Sequence, residues 1–205
     1  MWLFGDYISM SHYFIYDNKL KSKEKYINYT INNIDFTFKS DLGVFSKDKI
    51  DLGSSTLVNY LLKESLSDDI LDLGCGYGYI GIVLKKFNNN LNIDMVDINT
   101  KAIELTKDNL KLNNINNNAF ISNGFININK KYNYILFNPP IKAGKDIIYK
   151  LIDDSYTHLL DNGYLYIVIR KNHGAISLKN KLDNTFNTCI ISKKNKGYYI
   201  LKAKK

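Results

Sequence analysis

The order of apolar and polar positions divides the chain into a shorter amino-terminal part and a longer part with a different pattern. In residues 1–53 two stretches, KYINYTI and IDFTFKS, alternate apolar and polar positions, which predicts a β-hairpin with Ile, Tyr and Phe on one side. Farther along, short apolar runs alternate with segments of helical spacing. We therefore expect an N-terminal extension with a hairpin and a loop over residues 1–53, and one domain over residues 54–205.

The second part predicts strands and helices in alternation. Helices are predicted at TLVNYLLKESL, with Ser54, Ser55 or Thr56 as N-cap, and at YIGIVLKKF, TKAIELTKDNLKLN, DIIYKLIDDSYTHLL and ISLKNKLDNTF. Strands are predicted at ILDL, LNIDMVDI, NAFIS, YNYILF, YLYIVIR, TCIISKK and GYYILKAK, with Gly163 as the stop of the helix before YLYIVIR. Such alternation indicates an α/β fold with a mostly parallel sheet and helices on both faces. The last two strands are joined by KKNKG, too short for a parallel crossover, so they must be antiparallel.

The composition is that of a folded protein, with 45% hydrophobic and 13% aromatic residues. Cys75 and Cys189 lie too far apart in sequence to suggest a disulfide framework, which fits a reducing cytosol. No apolar run approaches the roughly 18 to 20 residues of a membrane span. The first residues, MWLFGDYISM, contain an acid and lack a basic leader, unlike a signal peptide. We expect a soluble, cytoplasmic protein with no membrane partner.

The charge is basic, with 28 Lys and Arg residues against 20 Asp and Glu residues, a formal charge of +8. This favours a polyanionic partner such as RNA or DNA. The chain also has a single arginine, Arg170, and repeated asparagine runs, a residue usage typical of an AT-rich genome that enriches lysine everywhere. Charge alone leaves both explanations open.

The stretch DLGCGYGYIG carries the first candidate chemistry. Gly74, Gly76 and Gly78 follow a predicted strand and open a helix, where glycine lets the backbone turn tightly and approach a ligand. A pyrophosphate would be repelled by Asp72, whereas a sulfonium or amino group would be attracted. Asp97 ends the next strand and suits two ribose hydroxyls. This combination resembles the class I S-adenosylmethionine (SAM)-dependent methyltransferases; the alternative is an ordinary tight turn with two surface acids.

Both prolines of the chain follow one asparagine, at Asn138-Pro139-Pro140. The group falls at the end of a predicted strand, where open α/β sheets bind ligands. The Asn138 amide oxygen and the Pro139 carbonyl can accept from an exocyclic amine and hold it in the path of an electrophile. The prolines make the loop rigid and remove competing N–H donors. The alternative is a rigid exit from a strand.

Several motifs in order resemble the small MTS-type methyltransferases that modify a guanine N2 amine in small-subunit ribosomal RNA. They are SHYF at 11–14, GVFSKDKIDLGS at 43–54, DLGCGYG at 72–78, NPPIKAGK at 138–145, VIRKNHGA at 168–175 and KGYYIL at 196–201. The resemblance implies a Rossmann-like, seven-stranded sheet and SAM as donor. Longer relatives carry a second, degenerate half, so this chain resembles the single-domain form.

The resemblance also implies site residues, and no metal. The catalytic loop would be Asn138, Pro139, Pro140 and Ile141. Cofactor-binding residues would be Asp72, Gly74, Cys75, Gly76, Gly78, Asp97, Ile98, Asn123, Gly124 and Asn138, with Asn123 standing where an acid is common. As substrate-binding contacts to RNA we nominate Lys142, Lys145, Arg170, Lys171 and His173, with Lys142 standing where an arginine is usual; the alternative for each is a solvated surface residue. Phe45 is a candidate for stacking on a base or on the adenine, and the alternative is core packing. Cys75 is interpreted as a small packing residue and not as a nucleophile.

Other functions stay open at this stage. Methyltransferases for adenine N6 or protein glutamine also use an Asn-Pro-Pro loop, but generally with an aromatic residue where this chain has Ile141. A non-catalytic SAM- and RNA-binding assembly module would keep the fold as a scaffold. A dehydrogenase fits least, because the loop lacks the Rossmann glycine spacing. The expected partner is ribosomal RNA or an assembling small ribosomal subunit, and the expected state is a monomer or weak homodimer.

Overall fold

A computed structural model describes residues 23–41, 44 and 48–205 of the chain. The first two strands form the predicted hairpin: β1 (Lys25–Ile31) pairs antiparallel with β2 (Ile34–Ser40) in a two-stranded sheet. Asn32 and Asn33 make the turn with φ of 47° and 64°. Both residues are left-handed, as a tight hairpin turn requires, and asparagine tolerates this conformation.

The remaining elements alternate as the sequence predicts. In chain order they are α1 (Leu52–Leu61), β3 (Asp69–Leu73), α2 (Tyr79–Phe87), β4 (Asn92–Asp97), α3 (Thr100–Leu112), β5 (Asn118–Ile121), β6 (Tyr132–Phe137), α4 (Lys145–His158), β7 (Leu159–Arg170), α5 (Ala175–Thr185), β8 (Thr188–Asn195) and β9 (Tyr198–Lys204). Single 3₁₀ turns occupy Ile141–Ala143 and Lys171–His173.

Seven strands form one sheet in the order β5-β4-β3-β6-β7-β9-β8. The strands β5, β4, β3, β6 and β7 run parallel to one another, and β9 runs antiparallel to both of its neighbours. The Lys196-Gly197 turn joins β8 to β9 with φ of 43° and 82°. The predicted Rossmann-like sheet with an antiparallel last strand is therefore confirmed.

Helices cover both faces of this sheet, so the central strands are buried on both sides. In β7, Tyr166 and Val168 pack in a cluster with α1, α2, α3 and the hairpin, whereas Leu165 and Ile167 pack in a second cluster with α4 and α5. This explains why the central strands are nearly continuous apolar runs in the sequence. The boundary between residues 53 and 54 stays a prediction.

The predicted N-cap of α1 is wrong. The cap is Asp51, whose side chain accepts from the Ser54 amide at 2.7 Å, so the helix begins before Ser54, Ser55 and Thr56. An aspartate in extended backbone (ψ 136°) competes well with serine as a cap, and three polar candidates in a row hid it. The helix also ends at Leu61, because its last turn tightens to i→i−3 bonds.

Gly163 does not stop a helix. Helix α4 ends at His158 and β7 starts directly afterwards, with Leu159 paired to Tyr132 of β6. The register then shifts, because Tyr134 pairs with Tyr164. Gly163 lies in this bulge, where a Cβ atom would come 2.9 Å from one backbone carbonyl and 3.0 Å from another. The glycine is needed for a close backbone approach within a strand.

Two asparagines, Asn109 within α3 and Asn113 at its C-cap, hold the hairpin in place. The Asn109 side chain accepts from the Lys39 amide at 2.6 Å and donates to the carbonyls of Lys39 (2.9 Å) and Tyr77 (2.8 Å). Asn113 makes the matching pair with the amide and carbonyl of Thr37, at 3.2 and 2.9 Å. These side-chain amides pair with the outer edge of β2 as a neighbouring strand would.

The substitution Asn109→Ala should lower the free energy of unfolding by about 2–4 kcal/mol, because it leaves the backbone groups of Lys39 and Tyr77 without partners in a fully buried position. Urea unfolding measures the loss. Asn59→Ala is the matched control, since Asn59 is exposed and makes one bond to a helix carbonyl. Equal effects of the two substitutions would contradict the bridging role of Asn109.

Candidate functional site

The glycine loop between β3 and α2 contains two kinds of glycine. Gly74, Gly76 and Gly78 all have positive φ, at 69°, 58° and 88°. A Cβ on Gly78 would meet the Thr106 side chain at 2.8 Å, so this glycine allows α3 to pack closely. A Cβ on Gly74 or Gly76 would meet nothing within 4 Å. These two glycines present bare backbone to an open cavity, as a ligand cradle requires.

The loop is held by groups on neighbouring elements. The Gly76 amide donates to Asp97 at 2.9 Å, and the Gly76 carbonyl accepts from the Thr106 hydroxyl at 2.9 Å. The Cys75 amide donates to the Val96 carbonyl at 2.9 Å. Burial raises the pKa of the Cys75 thiol well above its usual range, which agrees with a packing role and not with a nucleophile.

Asp97 ends β4 with its carboxylate on the cavity wall. One oxygen accepts from the Gly76 amide and the other from the Asn99 amide, both at 2.9 Å. Burial raises the pKa of Asp97, and the backbone amides of Asn99, Gly76 and Ile98 oppose that rise. Each carboxylate oxygen keeps acceptor capacity for a hydroxyl group in the cavity.

Asp72 lies behind the loop and not on the cavity wall. Its carboxylate is 1% exposed and accepts from the Gly81 amide at 3.0 Å, at the start of α2. The pKa of Asp72 is raised to about 7: burial is the largest cause, the charge of Asp97 adds to the rise, and the hydrogen bond from the Gly81 amide opposes it. The residue can therefore act on the cavity by its charge, while contact with a ligand falls to its neighbours.

A cavity of about 930 Å³ opens along the carboxyl ends of β3, β4, β6 and β7. The predicted site residues on its wall are Gly74, Cys75, Gly76, Asp97, Ile98, Asn123, Gly124, Asn138, Pro139, Pro140, Ile141, Lys142, Arg170 and His173. Asp72, Gly78, Lys145 and Lys171 lie outside the wall. Phe45 falls outside the described residues. The fold thus brings together side chains from five separate stretches of sequence.

The amide of Asn138 is oriented by the start of α1. Its nitrogen donates to the Asp51 carboxylate at 3.1 Å and to the Ser54 hydroxyl at 2.8 Å. Both amide hydrogens are then in use, so the amide oxygen is left as an acceptor. No donor to that oxygen is found in the described parts of the chain, and Asn138 is half-buried on the cavity wall. The site therefore contains an oriented acceptor.

The prolines shape the rest of this loop. Pro139 is buried and Pro140 exposed, and the Pro140 carbonyl accepts from the Ala143 amide at 2.8 Å. Gly144 then turns the chain into α4 with φ of 93°. Neither proline has a backbone N–H group. The backbone of Pro139 and Pro140 can therefore only accept hydrogen bonds, through its carbonyl oxygens.

Sequence reasoning missed many of the wall residues, and four of them have polar or aromatic side chains that bear on the site: Asp51, Ser54, Tyr198 and Phe125. Asp51 and Ser54 stand in the quoted stretch GVFSKDKIDLGS, but their polar side chains were assigned to no site. The ring of Tyr198 packs on Gly53, where a Cβ atom would come 2.9 Å from the ring. The Arg170 guanidinium lies 6.0 Å from the centroid of the same ring. The fourth residue, Phe125, stacks on another wall residue, the His158 imidazole, with centroids 4.5 Å apart.

The described residues contain no group of three or more His, Cys, Asp or Glu side chains that could hold a metal ion. In the same part of the chain, no helix is both long and apolar enough to span a membrane.

One family model covers most of the chain: the methyltransferase small domain matches residues 35–202. The chain is 40% identical over 197 residues to the Bacillus subtilis (strain 168) protein named "Uncharacterized protein YbxB", covering 95% of this chain and 98% of that protein. It is 39% identical over 145 residues to ribosomal RNA small subunit methyltransferase C of Psychromonas ingrahamii, covering 69% of this chain and 41% of that protein. The chain thus spans less than half the length of this second relative.

Solved structures share the fold. The 16S rRNA N2 G1207 methyltransferase of T. thermophilus, in complex with AdoMet and guanosine, superposes with a TM-score of 0.81 at 22% identity, covering 91% of this chain and 52% of that one. The M. jannaschii protein TYW2, in complex with AdoMet, gives a TM-score of 0.61 at 18% identity, with 90% and 88% covered.

The raised pKa of Asp72, about 7, predicts a pH-dependent stability. The folded protein keeps this proton to a higher pH than the unfolded chain, so its stability falls as pH rises from about 4 to about 7. Asp72→Asn removes this dependence and keeps an acceptor for the Gly81 amide. The unfolding free energy of Asp72→Asn relative to wild type should therefore rise by about 3 kcal/mol across that range.

Urea unfolding at several pH values measures this difference. The control is Asp161→Asn, which makes the same chemical change at an exposed position in β7. A flat difference for Asp72→Asn would show that the carboxyl titrates normally.

Proposed function

Since the chain belongs to the methyltransferase small domain family, we propose that it moves a methyl group from S-adenosylmethionine to the exocyclic N2 amine of a guanine in small-subunit ribosomal RNA. The observation that carries the proposal is the Asn138 amide, whose hydrogens are held by Asp51 and Ser54 while its oxygen lines the cavity. An amine with two hydrogens is the group that such an acceptor orients.

The cavity fits the methyl donor along β3 and β4. Gly74 and Gly76 offer bare backbone, and Asp97 offers carboxylate oxygens to two ribose hydroxyls. Asn123 and the Phe125–His158 ring pair form an aromatic and polar end of the cavity that suits an adenine. Bound there, S-adenosylmethionine supplies an electrophilic methyl group on its sulfonium. A cation at this place would stabilise the ionised forms of Asp72 and Asp97, whose pKa values are raised by burial, and would itself be favoured by their charge.

On the acceptor side, Asn138 and Pro139 act by positioning. The Asn138 oxygen and the Pro139 carbonyl accept the two amine hydrogens and turn the nitrogen lone pair toward the methyl group. The N–C bond would form as the S–CH3 bond of the donor breaks, with S-adenosylhomocysteine as the leaving group. The nitrogen would then carry the positive charge, so its proton would be acidic and would pass to solvent without a strong base. Pro140 and Ile141 complete the loop, and Pro140 keeps it rigid.

Three observations support ribosomal RNA as the substrate. A relative that is 39% identical bears the name of a small-subunit ribosomal RNA methyltransferase, and the cationic residues Lys142 and Arg170 lie on the cavity wall together with His173, whose ring nitrogens can hydrogen-bond. Ile141 stands where the adenine-N6 and protein-glutamine enzymes generally have an aromatic residue, so those two substrates fit less well. Lys145 and Lys171, outside the wall, would contact RNA farther from the reacting base.

The proposal is tested with methyl-labelled S-adenosylmethionine and, in separate reactions, free small-subunit rRNA, assembled small subunits, bulk tRNA and a protein extract. We expect label in ribosomal RNA, recovered after digestion as N2-methylguanosine. Label recovered as methyladenosine, or only in protein, would contradict the proposed guanine substrate. It would still agree with the fold and with S-adenosylmethionine as the donor. No transfer despite measurable donor binding would favour a binding module.

Asn138→Ala should reduce methyl transfer at least 100-fold and leave the affinity for S-adenosylmethionine within about threefold of wild type, since the acceptor amide acts on the amine. Asp97→Ala should instead weaken donor binding, because the residue faces the ribose site and holds Gly76. Single-turnover transfer and isothermal titration calorimetry separate the two effects. If both substitutions abolished donor binding equally, this division of roles would be wrong.

Asp51→Ala should lower kcat by roughly 10- to 100-fold with little change in donor affinity, because the Asn138 amide loses a partner that fixes its orientation. Asp51→Asn is the matched rescue, since a single oxygen of Asp51 accepts from both Ser54 and Asn138 and an amide oxygen can do the same. If Asp51 served only as a helix cap, Asp51→Ala would lower the stability of the protein. It would not lower kcat selectively while donor affinity stayed the same.

A further inference from the structure

The positive charge of the chain is concentrated in one segment. Residues 162–205 contain ten of the 28 Lys and Arg residues and one of the 20 Asp and Glu residues, Asp183. The excess of basic over acidic residues in this segment is larger than the formal charge of +8 of the whole chain. The other 161 residues together are therefore slightly acidic. Lysine enrichment from coding bias would be spread evenly. The segregation points to a charged surface with a function.

Part of this segment lies beside the catalytic loop, at the edge where the strands end. Arg170 ends β7 and pairs with Tyr198 of β9, which pairs in turn with Asn195 at the end of β8. The Lys171 amide donates to the Gly197 carbonyl at 2.8 Å, which ties the end of β7 to the β8–β9 turn. Since β6 and β7 are neighbours, this edge continues directly from Asn138. We name this surface the basic strand-end surface; it consists of Arg170, Lys171, Lys193, Lys194 and Lys196.

The cations of this surface have no acidic partner within the described parts of the chain. None of the five takes part in a salt bridge, and all five are exposed. Other lysines of the same segment are paired: Lys179 with Asp183, Lys181 with Asp153 and Lys202 with Glu64. Within residues 162–205, the exposed cations without an acidic partner among the described residues therefore lie at the edge that holds the site, and the paired ones lie elsewhere.

Two tyrosines of β9 lie beside two of these cations. Arg170 stands 6.0 Å from the Tyr198 ring centroid, and the Lys194 ammonium stands 5.3 Å from the Tyr199 ring centroid. Tyr198 packs with the cluster on one face of the sheet and Tyr199 with the cluster on the other, so each face of this edge has a ring next to a cation. A cation beside a ring suits a partner with both phosphates and flat bases. Four adjacent strands, β6, β7, β9 and β8, spaced about 4.8 Å apart, carry the surface about 15 Å from the catalytic loop.

We propose that the basic strand-end surface binds the phosphate backbone of RNA on one side of the target nucleotide, with the β8–β9 turn as its outer end. The proposal rests on the proposed function, since it assigns the RNA contacts of that same site. It adds Lys193, Lys194 and Lys196, which lie outside the cavity wall, to the cations at the cavity. Phosphate contacts of this kind fix position and carry no sequence information.

The test compares the triple variant K193A/K194A/K196A with the matched control K107A/K111A/K131A. The control removes three lysines that are also exposed and form no salt bridge among the described residues, two on α3 and one before β6. Fluorescence anisotropy gives the affinity for an in vitro transcribed small-subunit rRNA fragment at several salt concentrations. We expect the slope of log affinity against log salt to fall by about 2 in the first variant, at about 0.7 per lost contact, and to stay near wild type in the control.

Affinity for S-adenosylmethionine should match wild type in both variants, which shows that both are folded. Equal slopes for the two variants would overturn the proposal, as would a loss seen with assembled subunits but not with naked RNA, which would indicate a protein partner. The proposed reaction is judged separately by the modified nucleoside. A slope difference between the two variants without N2-methylguanosine would support the RNA-binding surface and contradict the proposed reaction. N2-methylguanosine with equal slopes would support the reaction and contradict the RNA-binding surface.

Discussion

The site depends on a loop that must expose its backbone and still keep one shape. Glycines at positions 74 and 76 remove the side chains that would block a ligand, and they also remove the steric limits that hold a loop still. The structure restores that order through hydrogen bonds from outside: Asp97 and Thr106 bind Gly76, and Asn109 binds the Tyr77 carbonyl. Helix α3 supplies two of these three residues. The order of the glycine loop therefore depends on the packing of α3 against the sheet.

The sequence predicts the framework well because its signals are local. Buried parallel strands appear as apolar runs such as YNYILF, and the short KKNKG connection determines the direction of β9. Positions that depend on distant partners could not be found in this way. In the sequence, nothing distinguishes Asn109 from any other helical asparagine. Its role depends on β2, whose Lys39 is 70 residues away in the chain. Asp51 competes with three polar neighbours for the cap of α1, and only the approach of Asn138, 87 residues away, gives it a second role.

Charge is divided between two regions of the site. Asp72 and Asp97 place negative charge under the glycine loop, where burial makes their ionisation costly unless a cation is near. Exposed cations lie at the strand ends beside the loop of Asn138 to Ile141. In the proposed reaction, a cationic donor and a polyanionic acceptor would meet electrostatic potentials of opposite sign in the two regions, which would favour each molecule in its own region.

The shared use of Asp51 links the order of α1 to the orientation of Asn138. The same carboxylate oxygen closes the first turn of α1 and holds the amide of Asn138. The second holder of that amide, Ser54, lies within the same first turn. If Asn138 positions the amine as proposed, fraying of this turn would remove both holders at once. Local order at one helix end would then be a condition for methyl transfer.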